Sequence, residues 1–213
     1  MRPRDMDSRK VSFREPHALQ MIAVMSSHPL LDVVSLSGSP SADSRSAALL
    51  RFIERRIASR ASRVRHIALR ELPAAELLQA RADSPAIRAA VAAVADAELV
   101  MVATPIYKAA YSGLLKVFLD LLAPDALRGK TVLPLATGGS PGHLLALEYA
   151  LKPVLAALGA RHVLDPVYVV DSAWNTHEQW GRVPTLEVIA RIDDALSGLS
   201  PERTRRAAEA IAA

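Results

Sequence analysis

The chain has no cysteine in its 213 residues. Disulfides, cysteine nucleophiles and thiolate metal sites are therefore excluded, and the composition fits a reducing compartment. Aromatic residues make up only 4%, too few for a stacking platform that tracks single-stranded nucleic acid. No run of eighteen apolar residues is present, so the sequence predicts no transmembrane helix. There is no GxxxxGK[ST] and no GxGxxG, which argues against an ATPase or a dinucleotide-binding fingerprint. HExxH spacing and paired carboxylates are also missing, which leaves metal chemistry and hydrolysis little support.

What is present is a strong core signal. Hydrophobic residues make up 51% and charged residues 23%, the balance of a globular protein. The formal net charge of +4 permits anionic ligands without requiring nucleic acid. Residues 1–30 are polar and basic, without a clear period. Their short apolar "MIAVM" lacks the length and cleavage site of a signal peptide. The segment reads as a disordered arm or as an upstream start, with Met21 or Met25 the true one.

From residue 30 strands and helices alternate. "LLDVVSLS" (30–37), "VRHIAL" (64–69), "ELVMVAT" (98–104), "TVLPLAT" (131–137) and 163–170 read as strands. A helix over 44–59 places Leu49, Leu50, Ile53 and Ile57 on one face. Ser84 and Pro85 read as an N-cap followed by proline at the first helical position, and that helix places Ile87, Val91 and Val94 on one stripe. A helix over 142–158 contains Pro153, which should kink it. Helical stretches near 184–198 and 201–212 follow. This rhythm predicts an α/β fold: a five-stranded parallel sheet, doubly wound, order 2-1-3-4-5, with helices on both faces. One domain over 31–199 is expected, with a C-terminal helical tail over 200–213.

Ligands in such sheets bind at the carboxyl ends of the strands, beside the point where strand order reverses. Three loops there are unusual. "SGSPSADSRS" (37–46) carries five serines and Arg45 ahead of a helix. It reads either as a phosphate site, built on free helix N–H groups, or as a polar turn capped by Ser44 or Ser46. "TPIYK" (104–108) should turn sharply at Thr104-Pro105 and expose the next residues. Tyr107 would then either stack on a planar ligand or cover the sheet edge. "ATGGSPGH" (136–143) has three glycines that admit close approach to backbone N–H groups. His143 there reads as a surface or capping residue. Together the loops suit one ligand with a phosphate tail and a large planar ring, for which FMN is the candidate.

These residues resemble the flavodoxin-like NADPH-dependent FMN reductases, and in particular the alkanesulfonate-assimilation subgroup. The matching segments are "GSPSADSRSAALL" (38–50), "ARADSPAI" (80–87), "ATPIYKAAYSGLLK" (103–116), "LRGKTVLPLATGGSPGHLLALEYALKPVLAAL" (127–158) and "DSAW" (171–174). The resemblance implies that Ser39, Ser44, Arg45 and Ser46 hold the FMN phosphate. It implies that Pro105, Ile106 and Tyr107 line the ring edge, with Thr137, Gly138 and Gly139 on the pyrimidine side and Ser140 close by. Family members often carry an arginine where this chain has Ser41, so Arg45 is expected to carry more of the phosphate charge.

The reaction implied is hydride transfer from NADPH to FMN, with loosely held reduced flavin passing to a flavin-dependent alkanesulfonate monooxygenase. No side chain is required as a general base. A cytoplasmic homodimer or homotetramer is expected, with no nucleic-acid or membrane partner. The competing readings are an FMN-retaining quinone, azo or chromate reductase, and a non-enzymatic flavodoxin-type carrier, which the positive charge disfavours. Tyr111, Leu114, Leu115, Phe118 and Leu122 share a helical stripe, which predicts Tyr111 at the head of a buried face. In the subgroup a tyrosine sits in a π-helical bulge at the subunit interface. Tyr111 is taken as its match, and thus as the candidate for controlling assembly and flavin release.

Overall fold

The computed structural model describes residues 30–179 and 181–199. All but the last residue of the expected arm over 1–30, the tail over 200–213 and the helix expected near 201–212 lie outside the described residues.

Five parallel segments build the sheet. They are β1 (Leu31–Ser37), β2 (Ala61–Ala68), β3 (Leu99–Tyr107), β5 (Thr131–Gly138) and a split last strand, β6 (His162–Val163) and β7 (Val167–Val170). Both pieces of the last strand pair with β5, giving the order β2-β1-β3-β5-β6/β7. This is the doubly wound order read from the sequence. The split falls at Leu164-Asp165-Pro166, where proline brings no N–H to the ladder.

Alternate residues face opposite sides, as pleating requires. Val34, Leu36, Val100, Val102, Val132 and Ala136 enter one core. Val33, Leu99, Met101, Ala103, Leu133 and Leu135 enter the other. Helices α1 (Arg45–Ile57) and α6 (Leu186–Ser197) cover the second face. The first face is covered by α3 (Pro85–Asp96) and α4 (Gly113–Leu119), and by α5 (Lys152–Ala157) with the turn before it. The short α2 (Ala74–Leu78) adds Leu77 to that core. The predicted stripe of α1 is buried in full: Leu49, Leu50 and Ile53 at 0% exposure and Ile57 at 2%. Each such side chain contributes about 1.5–3 kcal/mol.

Three details depart from the sequence reading. First, Ser84 does precede α3, with Pro85 in its first turn, but its hydroxyl makes no capping bond and donates instead to Glu76. Second, the segment over 142–158 is not one kinked helix. A 3₁₀ turn (Pro141–Leu144) leads to a π-helical turn (Leu147–Leu151), and α5 restarts at Lys152 with Pro153 in its first turn. The N–H of Lys152 donates to the carbonyl of Leu147, five residues back. A proline N1–N2 position has no N–H to satisfy, so the widened turn absorbs the break.

Third, the chain does not turn at Thr104-Pro105. Strand β3 continues through both, and Pro105 stays in register with Thr137 of β5. The reason is geometric. Ala103 points its carbonyl at β1, where it accepts from the N–H of Gly38 at 2.8 Å. Pro105, two residues on, points the same way, but β1 has ended at Ser37. Its missing N–H therefore faces no strand partner. The reversal comes at Lys108 and Ala109, with φ of 49° and 63°. These two residues form a tight hairpin to β4 (Ala110–Tyr111), whose mirror-image turn demands positive φ at both positions.

Candidate functional site

The site lies at the carboxyl ends of β1, β3 and β5, where the chain after β1 leads to α1 on one face of the sheet and the chain after β3 leads to α4 on the other. It is organised by one residue that the sequence reading left inside a helix, Ser112. The N–H of Leu115 donates to the Ser112 hydroxyl at 3.2 Å, so Ser112 caps α4. The same hydroxyl donates to the carbonyl of Gly38 in the first loop. The Ser112 N–H donates to the Thr104 hydroxyl at 3.0 Å, and that hydroxyl donates to the carbonyl of Pro105. Both side chains are buried. One serine thus ties the first loop, the end of β3 and a helix together. The signal for it was local: a serine before Gly113 at the start of an apolar period.

The first loop is likewise preorganised. Ser44 caps α1, its hydroxyl accepting from the N–H of Ala47 at 3.0 Å and lying 3.2 Å from the Ser46 hydroxyl. Ser39 accepts from the N–H of Ser41 at 3.2 Å. Gly38 is required here, because a Cβ would stand 2.8 Å from that of Leu115. At the end of β5, a Cβ on Gly138 would stand 2.6 Å from the Tyr168 hydroxyl. That hydroxyl donates to the carbonyl of Ser140 at 2.7 Å. Burial, with the Asp171 carboxylate adding to it, raises Tyr168 above the ordinary phenol range, so it stays a donor.

These loops enclose a cavity of about 350 Å³. Of the residues expected from the sequence, Ser44, Arg45, Pro105, Ile106, Tyr107, Thr137, Gly138 and Gly139 line it. Ser39 and Ser46 sit behind the wall, fully buried. Ser140 is not in the lining, and its carbonyl serves the Tyr168 bond. Four lining residues were not anticipated: Ser41, Asp43, Asp171 and Arg182. Arg45 pairs with Asp171 at 3.0 Å. Arg182 comes from a hairpin, β8 (Trp174–His177) and β9 (Gly181–Pro184), that the sequence reading did not foresee.

The cavity fits a phosphorylated planar ligand on the chemistry of its donors. One end offers a capped helix N-terminus, hydroxyls and two guanidinium groups. The other offers Pro105, Ile106 and the glycine backbone. Two buried polar atoms near the cavity-forming segments have no protein partner: the Ser37 hydroxyl and Nδ1 of His143. The latter would stand 3.1 Å from a Cβ on Gly138. Among the described residues no cluster of three or more His, Cys, Asp or Glu could hold a metal. No described helix is long and apolar enough to cross a membrane.

Tyr111 needs correction. It lies in β4, opposite Ile106, and not in the helix, which begins at Gly113 behind its serine cap. The hairpin turn at Lys108 and Ala109 takes it off the helical stripe. Its ring is half-buried against the core, and burial raises its hydroxyl above the usual value. The π-helical turn lies beside β4 in space, and the tyrosine it carries is Tyr149, 78% exposed.

Fold and cavity together define a flavodoxin-like oxidoreductase. Comparison with known proteins makes the class specific. The profile of the NADPH-dependent FMN reductase family matches residues 31–175. The chain is 46% identical to the FMN reductase (NADPH) of Escherichia coli K12 over 165 residues, which is 77% of this chain and 85% of that one. It is 49% identical to the FMN reductase (NADPH) of Pseudomonas putida KT2440 over 140 residues, covering 66% and 71%. Among solved structures it resembles the apo form of the NADH:FMN oxidoreductase EMOB, with a TM-score of 0.70 and 40% identity over 78% of this chain and 86% of that one. The chain therefore belongs to the NADPH-dependent FMN reductase family. It is an oxidoreductase that works on FMN with a reduced nicotinamide nucleotide.

Proposed function

We propose that the protein is an NADPH-dependent FMN reductase whose reduced flavin leaves for a flavin-dependent alkanesulfonate monooxygenase. The observation that carries the reading is the cavity, whose one lining joins Ser44, Arg45 and Arg182 to Pro105, Ile106, Gly138 and Gly139. Similarity to the NADH-dependent FMN reductase SfnF of Pseudomonas putida, 32% identical over 70% of this chain and 82% of that one, supports a sulfur-linked branch of the family.

When bound, the flavin supplies hydride acceptance at its ring from the nicotinamide. The chain's own residues do the placing. Ser44, Arg45 and the α1 N-terminus bind the phosphate, with Ser39 and Ser46 holding the loop behind them. Pro105 and Ile106 would line the ring edge, and the Gly138-Gly139 backbone with Thr137 would hold its pyrimidine side. N–H groups there would stabilise negative charge on the ring. Tyr107 lines the same cavity and is 51% exposed, so it would border the side open to an incoming nicotinamide. A cytoplasmic homodimer or homotetramer remains part of the reading. Its interface role moves from Tyr111 to Tyr149, the tyrosine on the π-helical turn.

The test is NADPH oxidation with FMN, FAD and riboflavin, with and without a sulfonate monooxygenase. FMN-stimulated turnover, flavin lost on gel filtration and sulfite release in the coupled assay are expected. FMN that stays stoichiometrically bound after dilution would favour a quinone-reducing enzyme instead. Failure of FMN to stimulate NADPH oxidation would sink the reading.

A further inference from the structure

We propose that Arg182, carried in by the β8–β9 hairpin, is a second anion-binding residue of the cavity and takes a phosphomonoester dianion. The inference rests on the reading of this cavity as a phosphate-bearing nucleotide site.

The geometry is specific. Arg182 lies opposite Thr176 in the hairpin, and its guanidinium reaches across to the first loop. There Nη1 donates to Oδ1 of Asp43 at 2.9 Å and to the Asp43 carbonyl at 3.2 Å, while Nη2 donates to Oδ2 at 3.1 Å. Asp43 immediately precedes the helix cap Ser44. The guanidinium is thereby parked one residue from the helix N-terminus, in the wall that also holds Ser44 and Arg45. Ser41, in the same wall, brings no charge.

The present partner is a weak competitor. The Asp43 side chain is 86% exposed, and a pair with so exposed a carboxylate is screened by water. Asp43 can return to solvent with little loss. A phosphomonoester offers more negative charge and a planar pair of oxygens that suits the guanidinium fork. The second arginine repeats the arrangement, since Arg45 is held by Asp171 with both side chains near half exposure. Two carboxylates thus balance two arginines in the cavity wall, and an incoming dianion takes both guanidinium groups by exchange. The hairpin that carries Arg182 rests on α1 and pairs its base through the Thr185 N–H and the Ala173 carbonyl at 3.1 Å. It is therefore a strap across the phosphate end.

FMN and NADPH both carry a phosphomonoester, so the experiment separates them. Flavin affinity is read by quenching of FMN and riboflavin fluorescence, and dinucleotide preference by kcat/KM for NADPH against NADH. Arg182→Ala is expected to weaken FMN about tenfold while leaving riboflavin unchanged; Arg182→Lys recovers part of the loss. If instead the NADPH/NADH ratio falls about tenfold and flavin affinities hold, the dianion is that of the dinucleotide. Equal loss for FMN and riboflavin with an unchanged ratio, or no change in any arm, would overturn the proposal. Asp43→Asn frees the guanidinium and should maintain or tighten FMN binding; a loss as large as that of Arg182→Ala would make the pair merely structural and overturn it too. A wild-type protein that binds riboflavin as tightly as FMN and ignores the 2′-phosphate would sink the cavity reading itself. A wild type that discriminates beside an indifferent Arg182→Ala would refute Arg182 alone.

Discussion

The two ends of the cavity are built differently. At the phosphate end the polar groups are fixed before any ligand arrives. Ser39, Ser44 and Ser46 are buried and bonded within the loop, and Ser112 locks Gly38 from behind. At the ring end the outermost side chains are open. Tyr107 projects from a two-residue hairpin whose turn residues sit in left-handed backbone, and Leu144, Leu145 and Tyr149 beyond it are exposed. The difference shows how the fold divides the work. A phosphate is small, charged and the same in every ligand, so fixed donors recognise it at no reorganisation cost. On the proposed function, a flavin ring must be met by a second planar group and then released, which suits the exposed Tyr107 at that end.

Breaking the shared wall should have the largest effect. Gly138→Ala drives a Cβ to 2.6 Å from the Tyr168 hydroxyl. A destabilisation of about 1–3 kcal/mol is expected, with FMN reduction down at least tenfold; urea melts and NADPH oxidation check both. Unchanged activity would mean that the glycine backbone does not face the ring. Next comes the lock of the phosphate end. Ser112→Ala removes the cap of α4 and orphans the buried Gly38 carbonyl, at an expected cost of about 1–3 kcal/mol. FMN affinity should fall more than riboflavin affinity, and a variant that loses stability but keeps this ratio would show the lock to be structural only.

The ring end should respond oppositely. Replacing Lys108 and Ala109 by Asn-Gly supplies the residues its turn geometry prefers. Thermal unfolding should show a gain of up to about 1 kcal/mol, without change in FMN affinity. Smallest in stability is Tyr107→Ala, expected within about 0.5 kcal/mol of wild type for so exposed a side chain. Its flavin affinity should weaken equally for FMN and riboflavin. A phosphate-selective loss there would erase the distinction between the two ends.

Much of this was legible beforehand. The strands of the sheet, its order, the buried face of α1, the Ser44 cap and the glycine loop follow from period, composition and cap chemistry. Eight expected residues line one cavity because the loops after successive parallel strands meet at a single edge. Tyr111 was misplaced because its spacing from Leu114, Leu115 and Phe118 also fits a helix. Period alone cannot see a turn made by Lys108 and Ala109, neither of which is a typical left-handed residue. Pro153 announced a break over 142–158, but not that a π-helical turn would absorb it and present Tyr149. The β8–β9 hairpin carries no clear alternation, and with it Arg182 escaped notice.

Sequence alone carried the α/β rhythm, the apolar character of the central strands and the starts of α1 and α3. These depend on near neighbours and on burial, which a linear pattern records. Tertiary structure decided that Thr104 and Pro105 extend a strand, since β1 ends before it would need the missing N–H. It also decided that Ser112 joins segments 74 residues apart, and that Arg182 meets Asp43 across 139. Those contacts exist only once the sheet has brought its carboxyl ends together.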